Sequence, residues 1–316
     1  MTVSQVSALA SAVRDNIGRV IYGKQKETEL IIAALLAGGH VLLDDIPGTG
    51  KTSLARALAV SLSGSSSRIQ FTPDLLPSDI TGISFYDQKE SEFVFRPGPV
   101  FTNVLIADEI NRTTPRTQSA LLECMGERQV TVDGKTYRLD DPFFVIATQN
   151  PVELQGTFPL PEAQTDRFLM RLALGYPERR YELEMLDGHA AVSPLGSLES
   201  VCTCTDITEA KRAVEGIAVS PAVKDYIVRI VTETRESPRI TLGVSPRGTL
   251  ALMFASRALA AIDGRDYVIP DDVKRAAVPV LAHRIIAHSQ NTLKVGDSNS
   301  KIIEFILDSV KAPTGD

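Results

Sequence analysis

The chain has 316 residues, enough for one large or two moderate domains with a full-sized buried core, so no disulfide or metal staple is needed to hold it together. It is 43% hydrophobic and 23% charged, ordinary shares for a globular protein, and it contains no apolar run near the roughly 20 residues that span a bilayer. A net charge of −6 gives no general attraction to nucleic acid.

Residues 1–16 read as a helix with Val6, Leu9, Ala10 and Val13 on one face, and they lack the basic start and apolar centre of a signal peptide. A cytoplasmic protein without a membrane span is expected. Residues 25–37 repeat the helical period through Leu30, Ile31, Ala34 and Leu35 and stop at Gly38-Gly39. The short apolar run Val41-Leu42-Leu43 then predicts a buried strand. It runs into Asp45-Ile46-Pro47-Gly48-Thr49-Gly50-Lys51-Thr52, after which Leu54, Ala55, Leu58 and Ala59 resume a helical spacing. Further near-continuous apolar strands are predicted at 103–107, 143–147 and 168–174, the pattern of central strands in a parallel sheet. Helical stretches between them imply a doubly wound α/β sheet. From Pro177 onward amphipathic helices dominate, including 223–233, 248–262 and 271–287, with start signals at Ser220-Pro221, Ser245-Pro246 and Pro270-Asp271-Asp272. The division expected is a nucleotide-binding domain over 1–176 and a helical domain over 177–316, with a connector near 188–205. Cys124, Cys202 and Cys204 are odd in number, and Cys-Thr-Cys has neither a second pair nor a nearby His, so free thiols are expected.

The strand–loop–helix around Gly48 carries the first chemistry. Consecutive backbone N–H groups can surround a phosphate at the positive end of a helix, while a lysine supplies a movable charge and a hydroxyl reaches magnesium. Pro47, Gly48, Thr49, Gly50, Lys51, Thr52 and Ser53 fit that loop, with Thr52 as a magnesium ligand. Asp45 stands where the common pattern has a glycine, and it is expected to face away from the phosphates. Downstream, Val104-Leu105-Ile106-Ala107 ends in Asp108-Glu109, two carboxylates at the carboxyl end of a buried strand, where open α/β sheets bind ligands. Asp108 is expected to hold magnesium and Glu109 to polarise the attacking water as a general base. A third strand ends in Thr148-Gln149-Asn150-Pro151. If it neighbours the strand before Glu109, Asn150 reaches the same water or the γ-phosphate.

With these residues in place, the chain resembles the MoxR family of AAA+ ATPases over nearly its full length. The resemblance is carried by Val20-Ile21-Tyr22-Gly23, Gly39-His40-Val41-Leu42-Leu43 with the phosphate loop, Phe71 to Asp79, Asp108-Glu109-Ile110-Asn111-Arg112, Gln118 to Val132, Ala147 to Pro151 and Leu160 to Phe168. It implies an AAA+ P-loop parallel-sheet core with a C-terminal all-helical lid. By the same resemblance Val20, Ile21, Tyr22 and Gly23 line the adenine, Asn150 is the sensor-one residue, and Arg247 is the sensor-two arginine. Arg167 is the finger that reaches a neighbour's ATP, with Arg171 as its rival. An arginine acting in trans at a γ-phosphate is worth about a thousandfold or more in rate.

The block 81–100, with Phe85, Tyr86, Phe93 and Phe95 ahead of Pro97-Gly98-Pro99, predicts an inserted hairpin. Asp133-Gly134 between Val130-Thr131-Val132 and Thr136-Tyr137-Arg138 predicts a second. The function expected from the resemblance is an ATP- and magnesium-dependent ring, a hexamer, that remodels or matures protein complexes and sometimes inserts a metal cofactor, with a partner bearing a von Willebrand A domain. The rivals are a nucleic-acid motor or loader using Lys135 and Arg138, and a binding module that uses ATP only as an assembly switch.

Overall fold

A computed structural model describes residues 1–44, 48–89, 91–149, 157–188, 194–288 and 295–313. The first helix, α1 (Val3–Gly18), starts at Thr2, whose hydroxyl accepts from Gln5 N while Gln5 reaches back, and it buries Val6, Ala10, Val13 and Ile17. Then come α2 (Gln25–Leu36), β1 (Val41–Asp44), α3 (Lys51–Ser61), β2 (Ser66–Gln70) and α4 (Pro77–Thr81). The first inserted hairpin is β3 (Gly82–Asp87) with β4 (Glu92–Pro97), and it precedes β5 (Val104–Asp108) and α5 (Pro115–Glu127). The second is β6 (Gln129–Val132) with β7 (Lys135–Arg138), closed through Asp133-Gly134 as expected. β8 (Phe144–Gln149), α6 (Glu162–Thr165) and β9 (Met170–Leu172) complete this part.

Five strands form one parallel sheet in the order β2-β5-β8-β1-β9. Alternation along the strands divides the core: Val41, Leu43, Val104, Ile106, Phe144 and Ile146 face α1, α2 and α3, whereas Leu42, Leu105, Ala107, Val145 and Ala147 face the layer that includes Leu121, Leu122 and Phe71. Both faces are covered, which is why these strands read as continuous apolar runs. The edge strand β2 pairs only with β5 and buries only Ile69, so its Ser-Ser-Arg-Ile-Gln sequence carries no such signal. The strand expected at 168–174 is shorter, because Phe168 N–H closes a turn on Thr165 O before pairing begins.

The remainder is helical: α7 (Arg179–Gly188), α8 (Cys204–Glu215), α9 (Pro221–Glu236), α10 (Pro246–Ile262), α11 (Pro270–Leu281) and α12 (Val295–Ser309), with a small antiparallel pair, β10 (Ile240–Leu242) and β11 (Ile286–Ala287). Ser220 and Ser245 cap α9 and α10 with a proline in the first turn, as their sequences predict. The helix expected over 271–287 ends instead at Leu281. Beyond it the carbonyls of Ala282 and Ile285 accept from Asn299 Nδ2, which replaces continued helical pairing there. The turn also delivers Arg284, whose side chain is only 2% exposed, onto the turn ahead of β9: Nε donates to Asp166 Oδ1 at 2.7 Å and Nη2 to Phe168 O at 2.6 Å. Burial lowers the Arg284 pKa, and the Asp166 charge opposes that shift. One apolar cluster runs from Val6 and Ile31 through the sheet to Tyr226, Leu252 and Val273, with α1 and α2 packed on both α8 and α10.

Candidate active site

Gly48 and Gly50 hold φ of +85° and +84°, the left-handed region that other residues enter only at a cost. No described residue lies within 4 Å of a Cβ built on Gly48, and its positive φ is the requirement that those residues show. Gly50 heads α3 without a side-chain cap, leaving the amides of Lys51, Thr52 and Ser53 at a helix start suited to an anion. Ile21, 8% exposed, brings Cδ1 to 3.5 Å from where a Gly50 Cβ would stand, so the Val20–Tyr22–Gly23 stretch borders this loop. Gly23 (φ +71°) lies under the Tyr181 ring of α7, which comes within 2.2 Å of its absent Cβ. Asp45 and Pro47 lie outside the described residues, as does Asn150.

Asp108 ends β5 at 6% exposure. Its Oδ2 accepts from Arg68 Nε at 2.6 Å and its Oδ1 from Thr148 Oγ1 at 3.3 Å. Glu109 follows at φ +57°, a left-handed non-glycine that costs roughly 1–2 kcal/mol and marks a constrained position. Its N–H donates to Thr148 Oγ1 at 2.8 Å, and its Oε2 accepts from Gln70 Nε2 at 2.8 Å and from Arg112 Nη1 at 2.9 Å. It makes no side-chain cap to the short 3₁₀ helix Ile110–Arg112 that follows, so capping does not explain this acid. β8 does pair with β5, which is the adjacency expected of the strand ahead of Asn150.

The arginines separate by partner. Arg171, on β9, forms an ion pair with Asp44 at the end of β1, and Arg112 is engaged with Glu109. Arg167 is exposed and donates Nη1 to Leu122 O on α5 at 2.6 Å. Arg247, exposed in the first turn of α10, follows Ser245, whose Oγ donates to Asp166 Oδ2 at 3.4 Å. Arg167 and the start of α10 therefore meet at Asp166. Among the described residues neither Arg167 nor Arg247 bonds to Lys51, Asp108 or Glu109. Sequence reasoning missed Arg68, Gln70 and Tyr181. The alternation of Arg68 and Gln70 is visible, but their approach to the two acids depends on a strand order that local pattern does not encode.

The donor set at Thr52 and Asp108 is hydroxyl and carboxylate oxygen, with Asp108 already drawing a cation in Arg68; this chemistry fits Mg2+. Comparison with known proteins agrees with the geometry. A family model described as "ATPase family associated with various cellular activities (AAA)" matches residues 40–170, and an AAA lid domain model matches 232–304. The chain is 52% identical to the uncharacterized Bacillus subtilis protein YeaC over 95% of its length and 93% of the relative. It is 39% identical to the chaperone MoxR1 of Mycobacterium tuberculosis, covering 98% of this chain and 84% of that one. A crystal structure of a Cytophaga hutchinsonii protein classed as an ATPase superposes with a TM-score of 0.88 at 36% identity, over 99% of this chain and 97% of that chain.

Proposed function

This chain belongs to the MoxR family of AAA+ ATPases, and on that premise we propose that it hydrolyses ATP at the subunit interfaces of a homo-oligomeric, hexameric ring to remodel a protein partner in the cytoplasm. The observation that carries the reading is the Asp108–Glu109 step: two acids at the end of a central strand, the second held left-handed, on the sheet edge that also leads into the Gly50-headed helix. Residues 1–176 form the nucleotide-binding domain in this reading and 177–316 the lid.

The amides from Gly48 to Ser53 and the Lys51 charge bind the phosphates, Pro47 stiffens the loop, and Val20 to Gly23 line the base. Thr52 and Asp108 would hold magnesium, which would neutralise charge on the phosphate oxygens. Glu109 takes a proton from water as the water oxygen bonds to the γ-phosphorus and the bond to the ADP oxygen breaks. Asn150 orients that water. Gln70 and Arg112, which hold the Glu109 carboxylate, set its position before the reaction. Arg247 serves as the sensor-two arginine, and Arg167 completes a neighbour's site. The name of the 39% identical relative, a chaperone, supports remodelling of protein complexes; a partner with a von Willebrand A domain and metal-cofactor insertion are carried over from the family resemblance.

Glu109→Gln is the test. It keeps the side-chain shape and loses the base, so ATP binding should persist while turnover falls by about a hundredfold or more. Turnover equal to wild type would remove Glu109 from the role. Hydrolysis measured with and without single-stranded DNA separates the motor reading, which requires stimulation; tight ATP binding with negligible turnover in the wild-type chain favours an assembly switch.

A further inference from the structure

A second junction lies at the opposite end of the sheet from the phosphate loop, where Gly38-Gly39 leads into β1 and Asp141 precedes β8. There the end of α2, the C-cap of α5, and helices α8 and α10 line a partly open cavity of ≈ 100 Å³. Leu36, Val214 and Phe254 give it an apolar side, and Arg128, Lys211 and Arg257 give it a cationic one.

The three cations are not equally provided for. Lys211 Nζ pairs with Asp141, and Arg128 lies 3.9 Å from the same carboxylate while donating to Gly38 O at 3.1 Å. Arg128 thus answers the carbonyl end of α2, where a cation is favoured. Arg257 has no such partner: its Nε is buried and hydrogen-bonds to no described residue, and none of the described carboxylates forms an ion pair with it. Glu215, an exposed residue, also lines the cavity, and its charge favours the Lys211 ammonium. With no counter-ion among the described carboxylates, the Arg257 guanidinium would gain from an anion placed beside it in the cavity. Lys211 is under related stress, because burial pushes its ammonium pKa down against the pull of Asp141.

We propose that this cavity is a binding site for one small oxyanion, a phosphate-type or carboxylate group, held by Arg257 together with Lys211 and Arg128. A cavity of ≈ 100 Å³ is small beside the roughly 300–1,000 Å³ of drug-sized ligand pockets and suits a compact anion. Arg257 supplies the planar donor fork suited to carboxylate or phosphate oxygens. The apolar wall of Leu36, Val214 and Phe254 has room for a short alkyl group behind a carboxylate. Because the site joins α2 and α5 to α8 and α10, its occupancy would tie the sheet-bearing part to the helical part.

The test is calorimetric titration of the full chain carrying Lys51→Ala, which weakens the phosphate loop so that the effect of an added Arg257 substitution isolates the cavity. Inorganic phosphate and acetate are the probes, with chloride as the control at matched ionic strength. Saturable binding of one oxyanion per chain is expected, with at least a tenfold loss when Arg257→Gln is added. Preference for phosphate over acetate, or the reverse, identifies the ligand class. No saturable binding of either probe, an equal response to chloride, or unchanged affinity in the Arg257→Gln chain overturns the proposal. Arg257→Lys keeps the charge and loses the fork; should the glutamine variant not fold, unchanged affinity in the lysine variant overturns the proposal equally.

Discussion

Asp108 and Glu109 are adjacent in the chain, yet their side chains meet different partners: Arg68 and Thr148 hold the first, Gln70 and Arg112 the second. The left-handed φ of Glu109 makes this divergence, since an extended residue there would continue β5. Lys51 stands in the first turn of α3 as a point charge. Lys51→Ala should weaken nucleotide binding at least tenfold, because the β- and γ-phosphates lose their nearest compensating cation. Fluorescent-nucleotide titration measures it, and an unchanged Kd would refute the phosphate-loop assignment. Among the single residues, the positions of Gly48, Gly50, Lys51 and the two acids at a helix start and a strand end were readable, because they are set locally. Arg68 and Gln70 were not, because their roles arise only when β2 lies beside β5.

At the scale of elements, the apolar strands were legible to within a few residues, while β2 was not, because an edge strand that buries only Ile69 needs no apolar run. The Gly38-Gly39 helix stop was also legible, but the second glycine has a further cause. A Cβ on Gly39 would stand 2.4 Å from Leu169 Cβ, so the glycine lets the chain ahead of β9 close against β1. His40, next in line, joins three elements: its Nε2 lies 3.2 Å from Met125 O on α5, and its Nδ1 accepts from Val145 N on β8 at 3.1 Å. Burial lowers its pKa from 6.5 to about 4, only partly opposed by the Met125 carbonyl, with Arg128 and Lys211 adding to the depression. The native state therefore binds fewer protons than the unfolded chain between those two values. Stability is full above 6.5 and falls as pH drops towards about 4. Denaturant unfolding should show a loss on the order of 1 kcal/mol from this group between about pH 7.5 and 5.5, before most carboxylates protonate. The loss should shrink in His40→Gln, though His283, also buried with a depressed pKa, leaves some slope. An identical slope in the variant would remove His40 as its source.

At the scale of the whole molecule, the arrangement of arginines distinguishes groups that serve their own chain from those that face outward. Arg171 pairs with Asp44, Arg112 with Glu109 and Arg68 with Asp108, all within the chain. Arg167 and Arg247 are exposed on the side organised by Asp166, which Arg284 and Ser245 both engage. In a ring, an exposed cation on one side of the subunit can meet a phosphate site on the other side of its neighbour. If Arg167 serves the neighbour's Lys51 and Glu109, then Arg167→Ala and Glu109→Gln subunits are each nearly inactive alone. Mixed together, they form some interfaces in which a wild-type Arg167 meets a wild-type Glu109, and activity partly returns. That recovered activity should fall on dilution as the assembly dissociates by mass action. Titrating one variant into the other while following phosphate release makes the measurement, with light scattering or native mass spectrometry to establish that mixed assemblies form. If both pure variants are inactive, mixed rings form, and no mixture exceeds them, Arg167 does not act across the interface. Arg171, or Arg112 at 2.9 Å from Glu109 Oε2, then becomes the better candidate for the charge at the γ-phosphate.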